Sequence, residues 1–364
     1  MEISKLSKLI TPSGTMAISN KARILREQGK PVIGFGAGEP DFPTPEYVVK
    51  DVQVAAEDTS NHKYSPVAGL TILKEEIVRT SQLYSGINVQ QENILVSNGG
   101  KHAILTTFMS ILNPGDEVLI PSPYWTTYPE AVKISGGNPI IVDTEFDDDF
   151  KVNTDQLDAL KTSKTKILVW VSPSNPTGVV YTKEEAEKIY NWAFENNVWI
   201  LSDELYEHLV YEGMTSPSPA QYDTELNNTI IINGVAKAYS MTGWRVGWII
   251  ANTDVIDMAK KIQSHATSNV SNISQIAAYS ALKNGLNETK IMKESFNRRR
   301  LYAIEEFSNI ENVNLIKSTG AFYLFPDVSY YSSNGVINGV HNSIDFCNWL
   351  LDEYFIAFVP GEVF

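Results

Sequence analysis

The feature that most constrains the fold of this chain is an alternation of short apolar segments with longer amphipathic ones through its centre. Short apolar segments are typical of buried β-strands, and apolar residues at helical spacing between them indicate helices that pack on a sheet. Together they predict a parallel α/β sheet. The segments expected to form the strands of this single sheet are 93–97, 117–121, 139–143, 166–172, 199–203, 229–233 and 246–251.

Helix signals lie between and after these strands. Segment 101–112 has helical periodicity and is followed by Asn-Pro-Gly, which ends a helix. Segment 183–196 is preceded by Thr182 as N-cap, with Glu185 three residues on, which together form a capping box. Further on, 287–308 predicts a long charged helix and 319–325 an alternating strand. We therefore expect a large domain over 46–275 and a smaller α+β domain formed by 1–45, with an N-terminal arm, and 276–364.

Composition excludes several classes of partner and location. The 364 residues are enough for about two domains and a sizeable core. The 43 acidic and 29 basic residues give a net charge of −14, which disfavours binding to nucleic acid or anionic lipid. No apolar run approaches the roughly 20 residues of a membrane span. The single cysteine, Cys347, cannot form an intrachain disulfide, so we expect a cytoplasmic protein.

Polar clusters follow several predicted strands at their carboxyl ends, where open parallel sheets bind ligands. Gly99, Gly100 and Lys101 lead from a strand into a helix, and such a turn presents backbone N–H groups and a helix N-terminus to an anion. A plain strand-to-helix turn is equally compatible with this segment. Asn175 is bracketed by Pro173 and Pro176, which would hold its amide in one orientation. A segment of this kind is more commonly a plain proline-rich connector.

Two further clusters carry ionisable groups. Asp203 ends an apolar strand and Tyr206 follows, and a buried carboxylate is costly unless it meets a cation. The alternative role for Asp203 is a helix N-cap. Lys237 stands among small apolar residues, with Arg245 eight positions later. A desolvated lysine loses proton affinity and can act as a nucleophile, whereas a solvated surface lysine fits these neighbours poorly.

Taken together, these groups match the requirements of pyridoxal 5′-phosphate. Its aldehyde needs a lysine amine, its ring nitrogen a carboxylate, and its phosphate backbone donors and an arginine. The five histidines show no metal-ligand spacing with the cysteine or with paired carboxylates, so we expect no metal site.

Six motifs are specific in combination, and they are Ala-Gly-Glu-Pro-Asp-Phe (37–42), Lys-Tyr-Ser-Pro (63–66), Ser-Pro-Tyr-Trp (122–125), Asn-Pro-Thr-Gly (175–178), Ser-Asp-Glu-Leu-Tyr (202–206) and Ala-Lys-Ala-Tyr-Ser-Met-Thr-Gly-Trp-Arg (236–245). With these motifs the chain resembles the class I aminotransferases of the fold-type I pyridoxal-phosphate enzymes, specifically the bacterial aspartate aminotransferase subgroup, from 11 to 361. The resemblance implies a three-layer large domain with a seven-stranded, mostly parallel sheet, a smaller α+β domain, and a homodimer.

The resemblance also implies roles for individual residues. Lys237 would hold the cofactor covalently and then shuttle a proton, and Asp203 would pair with the ring nitrogen. Trp125 would stack on the ring and touch substrate. Asn175 and Tyr206 would hold the ring oxygen, and Asn175 would also touch substrate. The phosphate would be held by Gly99, Gly100, Lys101, Arg245 and the partner subunit's Tyr64, and the substrate carboxylate would meet the backbone of Gly38.

The sequence departs from the family pattern at the substrate carboxylates. The family's carboxylate-binding Arg lies beyond the Val-Pro-Gly motif (359–361), and this chain has no Arg after Arg300 and ends at Phe364. We expect a fragment truncated at its C-terminal end, and a degenerate protein is the alternative. The partner-subunit Arg of other aspartate aminotransferases is not evident in 264–274. Lys101 is instead expected to bind the distal carboxylate, or else contacts only phosphate or solvent.

The expected function is transamination between an amino acid, aspartate, and a 2-oxo acid, 2-oxoglutarate, by a ping-pong mechanism. The alternatives are an aromatic or prephenate aminotransferase, a pyridoxal-phosphate β-lyase, and a non-catalytic protein of the same fold.

Overall fold

The computed structural model of the protein describes residues 2–11, 14–36 and 38–364, so Ala37 of the first motif, and Pro12 and Ser13 near the start of the resemblance, lie outside the described residues. The strands are β1 (Ile33–Gly34), β2 (Ile94–Ser97), β3 (Glu117–Pro121), β4 (Asn138–Val142), β5 (Thr165–Val171), β6 (Trp199–Asp203), β7 (Thr229–Gly234), β8 (Gly247–Ile250), β9 (Asn314–Leu315), β10 (Pro326–Asp327) and β11 (Ile356–Ala357). The helices are α1 (Lys5–Leu9), α2 (Gly14–Glu27), α3 (Glu46–Glu57), α4 (Thr71–Thr80), α5 (Gly100–Ile111), α6 (Thr127–Ile134), α7 (Thr154–Leu160), α8 (Lys183–Glu195), α9 (Thr253–Ala266), α10 (Asn272–Asn284), α11 (Asn287–Ser308), α12 (Ser329–Ser333) and α13 (Ser343–Tyr354).

Strands β2 to β8 form one seven-stranded sheet in the order β2-β8-β7-β6-β5-β3-β4. Neighbouring strands from β7 to β4 are parallel, whereas β8 is antiparallel to both β2 and β7. Each strand lies within one residue of its predicted position at both ends. The prediction of a mostly parallel α/β sheet is therefore confirmed.

Helices cover both faces of this sheet because successive strand residues point to opposite sides. In β5, Val169 packs in the layer of α5, α6 and α9, whereas Leu168 and Trp170 pack on the opposite face with α7 and α8. Helices α3, α4 and α10 continue that second layer over β2, β7 and β8. The three-layer arrangement buries the apolar strands on both faces, as expected for parallel strands.

The predicted helices are also present. Helix α8 starts with the predicted capping box, in which the Glu185 N–H donates to Thr182 Oγ1 at 3.2 Å and the Thr182 N–H donates to Glu185 Oε2 at 2.6 Å. Helix α5 starts one residue earlier than predicted, and α11 has the predicted bounds. Among the described residues, no helix is both long enough and apolar enough to cross a membrane.

The two ends of the chain meet outside the large sheet. Strand β1 pairs in parallel with β11, and Ile18 and Ala22 of α2 pack against Leu351 of α13. The expected boundary at residue 275 falls within α10, which packs on α3 and α4. The division into two domains stays a prediction.

The strand predicted for 319–325 is wrong. The N–H groups of Thr319 and Gly320 both donate to Gly178 O, and Ala321 adopts a left-handed conformation with φ of 55°. Gly320 forms only an isolated bridge to Val210, and the short antiparallel pair is β9 with β10. This turn packs tightly on Pro173, since a Cβ on Gly320 would lie 2.5 Å from that ring.

Candidate active site

The carboxyl ends of the parallel strands open into a cavity of about 1580 Å³ between the sheet and the C-terminal part of the chain. The strand order brings residues far apart in sequence to this one edge. Six of the predicted site residues line the cavity, and these are Gly38, Trp125, Asn175, Asp203, Tyr206 and Lys237.

Lys237 follows β7 and extends into this cavity. Its Nζ donates to Gly38 O at 2.5 Å and lies 5.7 Å from the centroid of the Tyr206 ring and 5.8 Å from that of Phe322. Burial lowers the pKa of Lys237 from 10.5 to about 8, while the charges of Glu39 and Asp203 act in the opposite direction. An amine with this pKa has a substantial neutral fraction near neutral pH, so it can act as a nucleophile and as a base.

Asp203 is the last residue of β6, next to β7, and is only 3% exposed. Tyr128 Oη donates to Asp203 Oδ2 at 2.8 Å, and the Leu205 N–H donates to Oδ1 at 3.3 Å. Burial raises the pKa of Asp203, and these two hydrogen bonds act against the rise by stabilising the carboxylate. No helix starts at Asp203, so the N-cap alternative does not apply.

The turn before α5 forms a concave surface of backbone and guanidinium donors. Gly99 has φ of +83°, a backbone conformation that favours glycine, and Arg245 Nη2 would lie 2.7 Å from a Cβ at this position. Arg245 Nη1 donates to Thr242 O at 2.9 Å, which fixes the guanidinium beside Gly99. The N–H groups of Gly100 and Lys101 belong to the first turn of the helix, where intrahelical acceptors are lacking. These donors can bind a phosphate.

Lys101 lies between this turn and the cavity. Its Nζ is 5.0 Å from the centroid of the Trp125 ring. Desolvation and the charge of Arg245 lower the pKa of Lys101. Lys101 is therefore a second cation, besides Arg245, and it lies beside the ring of Trp125, which lines the cavity.

Asn175, Tyr206 and Tyr64 differ in how they relate to the cavity. Asn175 follows the cis Ser172–Pro173 bond and precedes its own cis bond to Pro176. Tyr206 is 5% exposed, and its Oη lies 2.5 Å from Tyr323 Oη. Tyr64 is 90% exposed and does not line the cavity. Within one chain the structure therefore brings Asn175 and Tyr206 to the cavity, but not Tyr64.

Sequence reasoning missed two residues of this cavity, Tyr128 and Tyr323. Tyr128 lies three positions after Trp125, and the two rings meet edge-on with centroids 5.6 Å apart. Trp125 precedes α6 and Tyr128 lies in its first turn, so the available signal was the nearness of the two aromatic residues in the sequence. Tyr323 had none, because it belongs to the segment that was predicted as a strand.

Glu204, next to Asp203, points away from the cavity. Its Oε1 accepts hydrogen bonds from Ser202 Oγ at 2.6 Å and Ser218 Oγ at 2.5 Å. Burial, with the nearby charge of Glu207, raises the pKa of Glu204 from 4.5 to about 8. Glu204 is therefore mostly protonated in the folded protein at neutral pH.

We expect Glu204→Gln to stabilise the protein increasingly as pH rises from about 5 to about 8. In this range the folded state keeps the Glu204 proton and the unfolded state loses it, so the wild-type unfolding free energy falls with pH, and the fall stops above the folded pKa. Glutamine has no proton to lose. Urea unfolding of both proteins at several pH values measures the difference, and a difference that does not vary with pH would contradict the assignment.

Among the described residues, no group of three or more His, Cys, Asp or Glu side chains is placed to hold a metal ion.

Comparison with known proteins gives the family. Residues 30–364 match the family model described as aminotransferase class I and II. An aspartate aminotransferase of Streptomyces avermitilis is 45% identical over 98% of this chain and 88% of its own length. A probable aspartate/prephenate aminotransferase of Aquifex aeolicus is 39% identical over 99% of this chain and 91% of its own length.

The solved structure of the Thermus thermophilus aspartate aminotransferase with maleate superimposes with a TM-score of 0.93 and 34% identity, covering 100% of this chain and 92% of that one. The predicted fold type is therefore confirmed. Sequence match, fold and the amine at the sheet edge agree, and the chain belongs to the class I and II aminotransferases, a family of amino-group-transferring enzymes.

Proposed function

We propose that this aminotransferase uses pyridoxal 5′-phosphate to exchange amino groups between aspartate and 2-oxoglutarate. The observation that carries the proposal is the pairing, in one cavity, of a partly buried amine with a lowered pKa, Lys237, and a buried acid, Asp203. The two come from adjacent parallel strands, and such a pair suits a ligand with an aldehyde at one position and a basic ring nitrogen at another.

The residues present fit this cofactor. Asp203 is buried, and among the described residues no Lys, Arg or His side chain forms an ion pair with it. A protonated ring nitrogen would supply the missing cation. The donors around Gly99 and Arg245 fit a dianionic phosphate. When bound, the cofactor supplies an aldehyde for the amine and a ring that withdraws electrons from the substrate Cα.

The chain's own residues then have distinct tasks. Lys237 would hold the cofactor, and its amine, once freed by substrate, would take the proton from the substrate Cα and deliver it to the former aldehyde carbon of the cofactor. Asp203 keeps the ring nitrogen protonated, and Tyr128 holds that carboxylate in place. Asn175 and Tyr206 orient the ring oxygen, and Trp125 covers the ring face.

A dicarboxylic substrate is supported by the position of Lys101. Its Nζ lies 5.0 Å from the ring of Trp125, which lines the cavity, and from there it would bind a distal carboxylate while the backbone of Gly38 meets the α-carboxylate. The Thermus thermophilus relative was solved with maleate, a dicarboxylate. Aromatic amino acids would leave the charge of Lys101 without a partner.

Steady-state assays of the loaded enzyme test the substrate. With 2-oxoglutarate as acceptor we expect the highest kcat/KM for aspartate, above cysteine sulfinate and tyrosine, and parallel double-reciprocal lines for ping-pong kinetics. Prephenate is included as an amino acceptor because the Aquifex aeolicus relative is named for it. A fully loaded enzyme that is inert toward aspartate would overturn this specificity.

We also propose a homodimer in which the partner's Tyr64 completes the phosphate site. The side chain is supported in this role by its 90% exposure in the isolated chain, which is unusual for a tyrosine. Tyr64→Phe should weaken cofactor binding about tenfold or more, since it removes one hydrogen bond to a charged group. Fluorescence titration measures the affinity, and Tyr302→Phe, another exposed tyrosine, is the matched control.

Sizing by light scattering accompanies that titration. A monomer with full activity would contradict the shared site, as would a Tyr64→Phe variant that binds the cofactor like the control. Mixing Tyr64→Phe with Lys237→Ala chains should also recover one intact site per mixed dimer.

We further propose that the enzyme is cytoplasmic, supported by its single, buried cysteine, Cys347. The division into a large domain over 46–275 and a smaller one from both chain ends is proposed on the separate β1–β11 pairing of those ends.

A further inference from the structure

A tyrosine from the C-terminal part of the chain reaches across the cavity to the proposed ring-oxygen ligand. Tyr323 Oη lies 2.5 Å from Tyr206 Oη, and the two rings meet edge-on with centroids 5.6 Å apart. Phe322 packs against both rings, with centroids 5.6 Å from Tyr206 and 4.8 Å from Tyr323. Phe322 therefore helps to hold the two rings in this arrangement.

The backbone on the other side of Tyr323 limits where its hydroxyl can move. A Cβ on Gly38 would lie 3.1 Å from Tyr323 Oη, so the phenol rests directly on the backbone of that glycine. Gly38 O in turn accepts the hydrogen bond from Lys237 Nζ. Tyr323 thus touches two groups of the site, Tyr206 and Gly38, without itself being placed to bind the ring nitrogen or the phosphate.

The direction of the hydrogen bond follows from what Tyr206 has to do. Burial raises the pKa of both phenols, so each keeps its proton at neutral pH. If Tyr206 donates its only proton to the ring oxygen of the cofactor, its own oxygen is left as an acceptor. Tyr323 is the neighbour within reach to donate to it.

Resting on the proposed function, we propose that Tyr323 is a positioning residue, which donates to Tyr206 and so aims and strengthens the hydrogen bond from Tyr206 to the ring oxygen of the cofactor. A donor whose oxygen accepts a hydrogen bond is itself a stronger donor. The other ionisable groups around Tyr206 are Asp203, Tyr128 and Lys237, and none of them forms a hydrogen bond to its hydroxyl among the described residues.

The effect can be read from the visible absorption of the cofactor held by Lys237. A strong donor to the ring oxygen stabilises the anionic form of that oxygen. The nitrogen through which Lys237 would be joined to the cofactor then has a lower proton affinity. Tyr323→Phe should therefore raise the midpoint of the absorbance titration by about 0.5 to 1 pH unit, the size expected for weakening one hydrogen bond. Tyr323→Met serves as a second variant without the hydroxyl, should the first fold poorly.

Two controls separate positioning from general disturbance of the cavity. Tyr331→Phe removes a hydroxyl from the same cavity, one that donates to Glu311 O at 2.7 Å, and should leave the midpoint unchanged. In a Tyr206→Phe background, Tyr323→Phe should add no further shift, because the intermediary is gone. A merely structural role for Tyr323 would move the midpoint equally in both backgrounds.

The outcomes distinguish this inference from the proposed function. If the wild-type protein, incubated with pyridoxal 5′-phosphate, develops no visible band, the proposed function fails. If the band forms and titrates, but Tyr323→Phe and Tyr323→Met titrate at the wild-type pH, the positioning role is overturned. A shift that persists in the Tyr206→Phe background overturns it as well.

Discussion

Replacing Lys237 with alanine should lower kcat by more than about 10³-fold and abolish the pH-dependent visible band of the cofactor joined to this amine, leaving the spectrum of the free aldehyde. The variant loses both the amine that holds the aldehyde and the base that moves the substrate proton, and a positioned general base alone contributes about 10²- to 10⁴-fold. The site should still fold, because its other groups are fixed by their own contacts, including Asp203 with Tyr128. Absorbance spectra and single-turnover transamination measure the two effects.

The matched control for this substitution is Lys261→Ala. Lys261 is exposed on α9, and its Nζ contacts only the sulfur of Met258 at 3.9 Å among the described residues. This variant should keep wild-type kcat and spectrum. Small primary amines should restore part of the activity of Lys237→Ala, since they can enter the space left by the side chain. A Lys237→Ala protein that keeps its visible band would refute the assignment of the amine.

The second large effect is expected for Asp203→Asn, which should lower kcat by about 10²- to 10³-fold, the range seen when one preorganised electrostatic group is removed. Asparagine keeps the shape of the side chain and an oxygen for Tyr128, but it has no charge to keep a ring nitrogen protonated. Cofactor binding should persist, since Lys237 and the donors around Gly99 and Arg245 remain. Stopped-flow measurement of the first half-reaction isolates the affected step.

Glu204→Gln is the natural control for this prediction. It makes the same chemical change in the neighbouring buried carboxyl group, which faces Ser202 and Ser218 instead of the cavity. We expect kcat within a few-fold of wild type, since Glu204 is already mostly neutral at pH 7. Equal losses in Asp203→Asn and Glu204→Gln would mean that disturbance of the β6 terminus, rather than the charge of Asp203, lowers the rate.

Much of the fold could be predicted from short stretches of sequence because the parallel strands are buried on both faces. Each strand is then a continuous apolar run with clear ends. Polar residues directly after such a run mark the carboxyl end of the strand, where a site forms in a parallel sheet. Lys237 and Asp203 were found in this way. Their type, their apolar surroundings and their place at strand ends are all properties of adjacent residues in the sequence.

Contacts between distant segments could not be predicted in the same way. The segment 319–325 alternates like a strand, but its backbone bonds to Gly178 and Leu209, which only the folded chain brings near. Tyr323 was missed for this reason. Tyr128 was missed because its hydrogen bond crosses from α6 to β6, 75 positions along the chain. The sequence likewise does not show whether an exposed tyrosine such as Tyr64 contributes to the site of its own chain or to that of a partner subunit.

The ladder between β6 and β7 has a consequence for how such an enzyme can change over generations. Leu201 pairs with Ile230 and Asp203 with Ile232, so main-chain hydrogen bonds fix the end of β6, with its acid, beside the end of β7, from which the turn that carries the amine starts. Those bonds do not depend on which apolar side chains fill the layers. Mutational drift in the interior can therefore proceed while the reactive pair keeps its spacing, and new substrate preferences can arise from replacements along the rim alone.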